Sequence, residues 1–83
     1  MYLLHVKKKA LKEIAALPHK EQARIILAMD NLREDPFVGK KLRGEFDGAW
    51  SLRVWPYRIM YTISQKTVTV TVLRVGHRQG VYR

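Results

Sequence analysis

The chain contains no cysteine, so neither a disulfide framework nor a thiolate metal site is open to it. Its three histidines, His5, His19 and His77, stand too far apart to show ligand spacing, which argues against zinc. No run approaches the roughly 18 apolar residues needed to span a bilayer, and the N-terminus lacks the apolar stretch of a signal peptide. The protein is therefore expected to stay in the cytoplasm where it is made. Negative charge is scarce: seven Asp and Glu face sixteen Lys and Arg, for a formal charge of +9. What is there, then, is a strong positive field on a small body, and its natural partners are polyanions. Nucleic acid comes first, an acidic protein second. An anionic membrane surface comes third, because the helical segments carry no large aromatic-rich apolar face. Solubility alone is the plain alternative.

At 83 residues, 47% hydrophobic and 28% charged, residues 1–83 read as one globular domain with a modest core. Tyr2 to Val6 alternates as a short strand. Lys8 to Leu17 switches to helical spacing, with Leu11, Ile14 and Ala15 on one side and Lys8, Lys9, Lys12 and Glu13 mostly on the other. Pro18 ends that helix and can open the next, from His19 to Glu34. Ile25, Ile26, Met29 and Leu32 form its expected buried stripe, and Asp35-Pro36 stops it. Residues 36–48 read as a loop with a short strand around Leu42 and a basic run, Lys40-Lys41-Leu42-Arg43.

The last third is the most regular. Ala49–Val54, Tyr57–Ser64 and Thr67–Val75 alternate as three strands, with turns at Trp55-Pro56 and Gln65-Lys66. A two-residue second turn puts Val68, Val70 and Val72 on the face of Ile59, Tyr61 and Ile63. That face is apolar and calls for the helices. The other, with Ser51, Arg53, Arg58, Met60, Thr62, Thr69 and Thr71, reads as polar, basic and open. The expected fold class is α+β: an N-terminal strand and a two-helix antiparallel hairpin on one face of a mainly antiparallel β-sheet.

If the first turn centres on Trp55-Pro56, Arg53 sits opposite Arg58. Like charges in that position destabilise a sheet by a few tenths of a kcal/mol up to about 1. Phosphate between them resolves the conflict, because the guanidinium fork matches it bidentately. Two solvated arginines paired with Glu45 or Asp47 are the alternative. Gly76 lets the chain turn, so that Arg78 can join the pair and help hold the negative charge of a pentacoordinate phosphorus. No carboxylate pair or Mg²⁺ ligand cluster accompanies them, so phosphoryl chemistry here is expected to be metal-free, with no cofactor. His77 can exchange protons near neutral pH or simply point at water. Tyr82 and Trp55 are candidate stacking platforms for a base, or else tail and sheet-end cover. Lys40, Lys41 and Arg43 suit a phosphate backbone. Ser51 has no general base beside it and belongs with these RNA contacts rather than with nucleophiles.

The succession Lys41-Leu42-Arg43-Gly44, Trp50-Ser51-Leu52-Arg53-Val54, Tyr57-Arg58-Ile59-Met60-Tyr61, Val75-Gly76-His77-Arg78 and Tyr82 resembles the RelE/ParE superfamily of toxins from toxin–antitoxin modules, across essentially the whole chain. The resemblance implies a compact fold like that of microbial ribonucleases. In the RelE branch it implies cleavage of mRNA on the ribosome, with a 2′,3′-cyclic phosphate as product and a RelB-like antitoxin as partner. By position, Arg58 and Arg78 match the arginines that brace the scissile phosphate, and Tyr82 the tyrosine that stacks on the base. Arg53 stands where RelE toxins carry a catalytic lysine, and Ser51 replaces a second one. An arginine stays protonated, which makes His77 the candidate proton acceptor. The ParE branch shares the fold, poisons DNA gyrase and generally lacks the nuclease set. Retention of Arg58, Arg78 and Tyr82 favours the nuclease, with gyrase inhibition or RNA binding without catalysis as the competing readings.

Overall fold

The structure, a computed structural model, describes residues 1–77. In chain order its elements are β1 (Leu3–Val6), α1 (Lys8–Ala15), α2 (His19–Glu34), β2 (Lys40–Lys41), β3 (Trp50–Val54), β4 (Tyr57–Ser64) and β5 (Thr69–His77). Single 3-10 turns at Pro36–Val38 and Gly44–Phe46 flank β2. The strands form one mixed sheet in the order β1-β5-β4-β3-β2, with β1 parallel to β5 and the other neighbours antiparallel. Both helices cover the same face of this sheet, in accord with the expected α+β class.

The second helix ends where proline dictates. A residue before proline is pushed out of the helical region, and Asp35 is extended at φ −145°, ψ 91°. Its carboxylate then accepts the N–H of Phe37 at 3.1 Å and starts the 3-10 turn. The core lies between helices and sheet: Ala10, Ile14, Ile25, Met29 and Leu32 pack on Ile59, Tyr61, Val70, Val72 and Val75. The expected helical stripes need correction. Leu11, Ala15 and Ile26 are exposed. On α1 the inner stripe is Ala10 and Ile14, continued past the helix end by the half-buried Leu17; it starts one residue back from Leu11, because the small Ala10 permits close approach to β5.

The β4–β5 hairpin also differs from expectation. Its turn spans four residues, 65–68, with Ser64 paired to Thr69. Hydroxyls build it: Ser64 Oγ accepts the Thr67 N–H at 3.2 Å, and Thr69 Oγ1 donates to Thr67 O at 3.0 Å. Val68, expected in the core, lies exposed in the turn at φ 51°. The register moved by two residues, an even number, so Val70 and Val72 still share the face of Ile63 and Tyr61. A bulge follows, in which Met60 pairs with Arg74 and Tyr61 with Val72, leaving Leu73 as the extra residue.

β1 pairs with β5 only from Thr69 to Val72. Beyond that point Glu13 of α1 serves the strand: its carboxylate accepts the Val75 N–H at 2.9 Å and the Arg74 guanidinium at 2.9 Å. Glu13, expected on the outward side, is therefore an edge cap for the longest strand.

The sheet face away from the helices is less open than its polar residues suggest. Ala49 and Met60 are buried there, with Leu42, Phe46 and Leu73 packed around them. The chain from 42 to 49 folds over this part of the face. Left-handed glycines turn it twice, Gly44 at φ 73° and Gly48 at φ 94°, and Leu42 N–H closes the loop on Ala49 O at 2.9 Å. The strand expected around Leu42 lies instead at Lys40–Lys41, and Leu42 is a packing residue. The uncovered remainder of the face holds the arginines.

Candidate functional site

The β3–β4 hairpin places Arg53 directly opposite Arg58, with Val54 opposite Tyr57 just before the turn. On its other side Arg58 pairs with Gly76, which offers no side chain across the ladder. One row along the same face, Ser51 is flanked by Lys40 on β2 and Met60 on β4. Strand alternation brings Lys40, Ser51, Arg53 and Arg58 to one surface. They line an open cleft of about 380 Å³, walled on one side by Val38 and Gly39.

No carboxylate neutralises this cleft among the described residues. Glu45 and Asp47, the expected partners, form no ion pair with Arg53 or Arg58. The observed ion pairs occupy other arginines: Arg24 with Glu21 at 2.8 Å, Arg33 with Asp30 at 3.4 Å, and Arg74 with Glu13. Two arginines thus stand opposite each other across a ladder, and neither is paired with a described carboxylate. In an effective dielectric near 20, a unit charge about 4 Å away is worth roughly 4 kcal/mol, so an anion entering here meets a preformed site.

A buried hydroxyl on the helix-covered face fixes the cleft wall. Tyr61 Oη donates to Pro36 O at 2.7 Å and accepts the Gly39 N–H at 3.2 Å. Burial pushes its pKa up from 10.0 to about 12, against the opposing pull of the Gly39 hydrogen bond. Gly39 is required for close approach. A Cβ there would collide with Tyr61 Oη and lie 2.8 Å from Ser51 O. The Tyr61–Gly39 contact so holds the start of β2 against β3 and sets Lys40 opposite Ser51.

Ser51 is the anomaly of the cleft. It is 3% exposed, and its Oγ has no hydrogen-bond partner. A buried hydroxyl left unpaired costs about 1–3 kcal/mol.

The other expected site residues are dispersed. Lys41 alternates away from Lys40 and lies beside Trp50, on the helix side of the sheet. Arg43 is exposed, outside the cleft lining, where the chain enters the second 3-10 turn. Trp55 is 54% exposed on the hairpin turn, and its carbonyl accepts from Arg24 at 2.8 Å. His77 pairs with Tyr57, edge to ring with centroids 6.4 Å apart, so alternation puts it on the face opposite Arg58. The structure does not bring it to the arginines. Arg78 and Tyr82 lie outside the described residues. Sequence reasoning missed Gly39 and Val38 as the wall, for which the only signal was a glycine just before the basic run. Among the described residues no group of three or more His, Cys, Asp or Glu is placed to hold a metal ion, and no helix is long and apolar enough to cross a membrane.

Residues 4–82 match the family described as ParE toxin of type II toxin-antitoxin system, parDE. Toxin RelG of Mycobacterium tuberculosis is 38% identical over 76 residues, covering 89% of this chain and 87% of RelG. The fold is similar to that in the toxin–antitoxin complex RelBE2 from M. tuberculosis, with a TM-score of 0.87, 34% identity, and coverage of 93% of this chain and 98% of that one. It is also similar to that in the intact E. coli RelBE complex, with a TM-score of 0.79, 29% identity, and coverage of 93% and 96%. Sequence over nearly the whole length and fold agree: the chain belongs to the ParE toxin family of type II toxin–antitoxin systems, as the toxin of a RelBE-type module.

Proposed function

We propose that this toxin is an endoribonuclease that cuts mRNA on the ribosome in the cytoplasm and is held inactive by a RelB-like antitoxin. The observation that carries the reading is the unneutralised Arg53–Arg58 pair in an open cleft. A phosphodiester seated there is attacked by the adjacent 2′-oxygen. The new 2′-O–P bond forms as the P–O5′ bond breaks; the 2′-hydroxyl proton passes to solvent water, and the departing 5′-oxygen takes a proton from water. The products are a 2′,3′-cyclic phosphate and a 5′-hydroxyl. The arginines stabilise the added charge on phosphorus oxygens, a part for which metal ions serve elsewhere. By the family resemblance Arg78 and Tyr82, which lie outside the described residues, belong to the same site. His77 is set aside as the proton acceptor, since it lies on the other face.

The antitoxin reading is supported by a second surface. An apolar groove of about 450 Å³ runs between β1 and α2, lined by Leu4, Ala23, Ile26, Leu27, Met29 and Asp30. Exposed Leu3, Ile26 and Leu27 border on a strongly basic body. An acidic amphipathic segment satisfies both properties.

The test is to induce the protein in cells and map the 5′ ends of messages. Cuts within translated codons are expected, and Arg58→Ala should lose them by about 10²–10³-fold, the cost of one transition-state donor. Intact messages with blocked supercoiling by DNA gyrase would assign the toxin to the gyrase-poisoning branch instead.

A further inference from the structure

The RNA reading leaves Ser51 unexplained. Its hydroxyl is buried without a partner in a cleft that also holds Lys40, Arg53 and Arg58, and no described neighbour accepts from it. A fold gains nothing from such a group, and alanine fits the same space without the desolvation cost. The orphan donor therefore points to something that enters the cleft.

We propose that the Lys40–Ser51 pair is a second phosphate subsite, which holds the phosphate next to the one seated between Arg53 and Arg58. The geometry is that of two rungs on one face. Lys40 and Ser51 form one cross-strand pair, and Arg53 and Arg58 the next on the same side. The rungs stand two residues apart along β3 and on opposite edges of it, so with 3.3–3.4 Å per residue and strands about 4.8 Å apart their centres are roughly 8 Å from each other. The flexible Lys40 side chain brings that offset within one nucleotide step of an extended RNA strand. Lys40 supplies a flexible point charge and Ser51 Oγ a directional donor to a non-bridging oxygen. The Tyr61–Gly39 contact holds the rung in place from beneath. The subsite rests on the RNA reading, and adds to it that the toxin grips two consecutive phosphates rather than one.

The experiment is a chemical double-mutant cycle. An RNA tetranucleotide, made uncleavable by a 2′-deoxy substitution at its centre, is titrated into the full chain and followed by NMR. Ser51→Ala and Ser51→Cys are compared with the parent, as is Arg58→Ala. Each phosphate is replaced in turn by a neutral methylphosphonate. Ser51→Ala should weaken binding about tenfold, with the poorer donor cysteine in between. That penalty should vanish when one particular flanking phosphate is neutral, while the Arg58→Ala penalty persists there. Thermal unfolding supplies the second readout: Ser51→Ala should raise Tm, because an unpaired buried hydroxyl is gone, whereas a hydroxyl serving the fold would lower it. The subsite is overturned if Ser51→Ala binds like the parent, if its penalty survives every methylphosphonate, or if it vanishes only at the phosphate that Arg58 reads. Absence of binding by the parent overturns it too. Message cutting in cells is scored separately, so the nuclease reading stands or falls on its own.

Discussion

The two faces of this sheet obey different rules although they share every strand. Under the helices, Ile59, Tyr61, Val70 and Val72 are fully buried, and the one polar atom in that row, Tyr61 Oη, has both its partners. On the other face a small cluster around Met60 and Ala49 gives way within two residues to like charges in register and an unpaired hydroxyl. One surface is arranged so that nothing is left wanting in the isolated protein. The other is left incomplete by amounts that an anion would supply. Destabilising features concentrated on one face of a fold whose other face is fully satisfied are the physical mark of a binding surface.

Adjacent residues on β4 give the sharpest way to break that contrast, because Ile59 and Met60 point to opposite faces. Ile59→Ala should cost roughly 4 kcal/mol and Met60→Ala about 2, since the smaller cluster collapses more easily around the lost volume. Urea midpoints at unchanged m-value measure both, and equal costs would mean that the far face is a second full core. Next in size is Tyr61→Phe, which strands Pro36 O and Gly39 N–H and should cost about 1–3 kcal/mol. It carries a pH signature. The fold holds Tyr61 in its neutral form, with the pKa raised from 10.0 to about 12. Its contribution is therefore complete below about pH 10 and is lost as pH rises toward 12. Alkaline unfolding of Tyr61→Phe should lack that component of the loss. The smallest effect has the opposite sign: Arg53→Thr removes a like-charge pair and should raise stability by a few tenths up to about 1 kcal/mol, while message cutting falls. A variant that gained neither stability nor a defect in cutting would dissolve the distinction between the faces.

Much of this was legible in the residues. The α2 boundaries at His19 and Glu34 follow from Pro18 and Pro36, and the Arg53–Arg58 pair follows from counting outward from Trp55-Pro56. Hairpin register and proline stops are local, so short windows suffice. The four-residue turn at 65–68 escaped because two hydroxyls, Ser64 and Thr69, stabilised a longer loop than the minimum. Lys40 was visible only as one member of a basic run. That it faces the cleft and Lys41 does not depends on a two-residue strand that exists by pairing with β3, a partner ten residues away. The placement of His77 opposite the arginines depends on the β5 bulge, which has no signature in the alternation before it.

Alternating apolar and polar residues, by themselves, determined which side chains share a face and that two arginines meet across a hairpin, because a period of two and a tight turn leave no other arrangement. Only the tertiary structure decided how much of the polar face stays bare, which lysine reaches it, and which carboxylate caps β5. Those outcomes depend on segments distant in the chain competing for the same backbone donors and the same buried space, and sequence spacing carries no record of who wins.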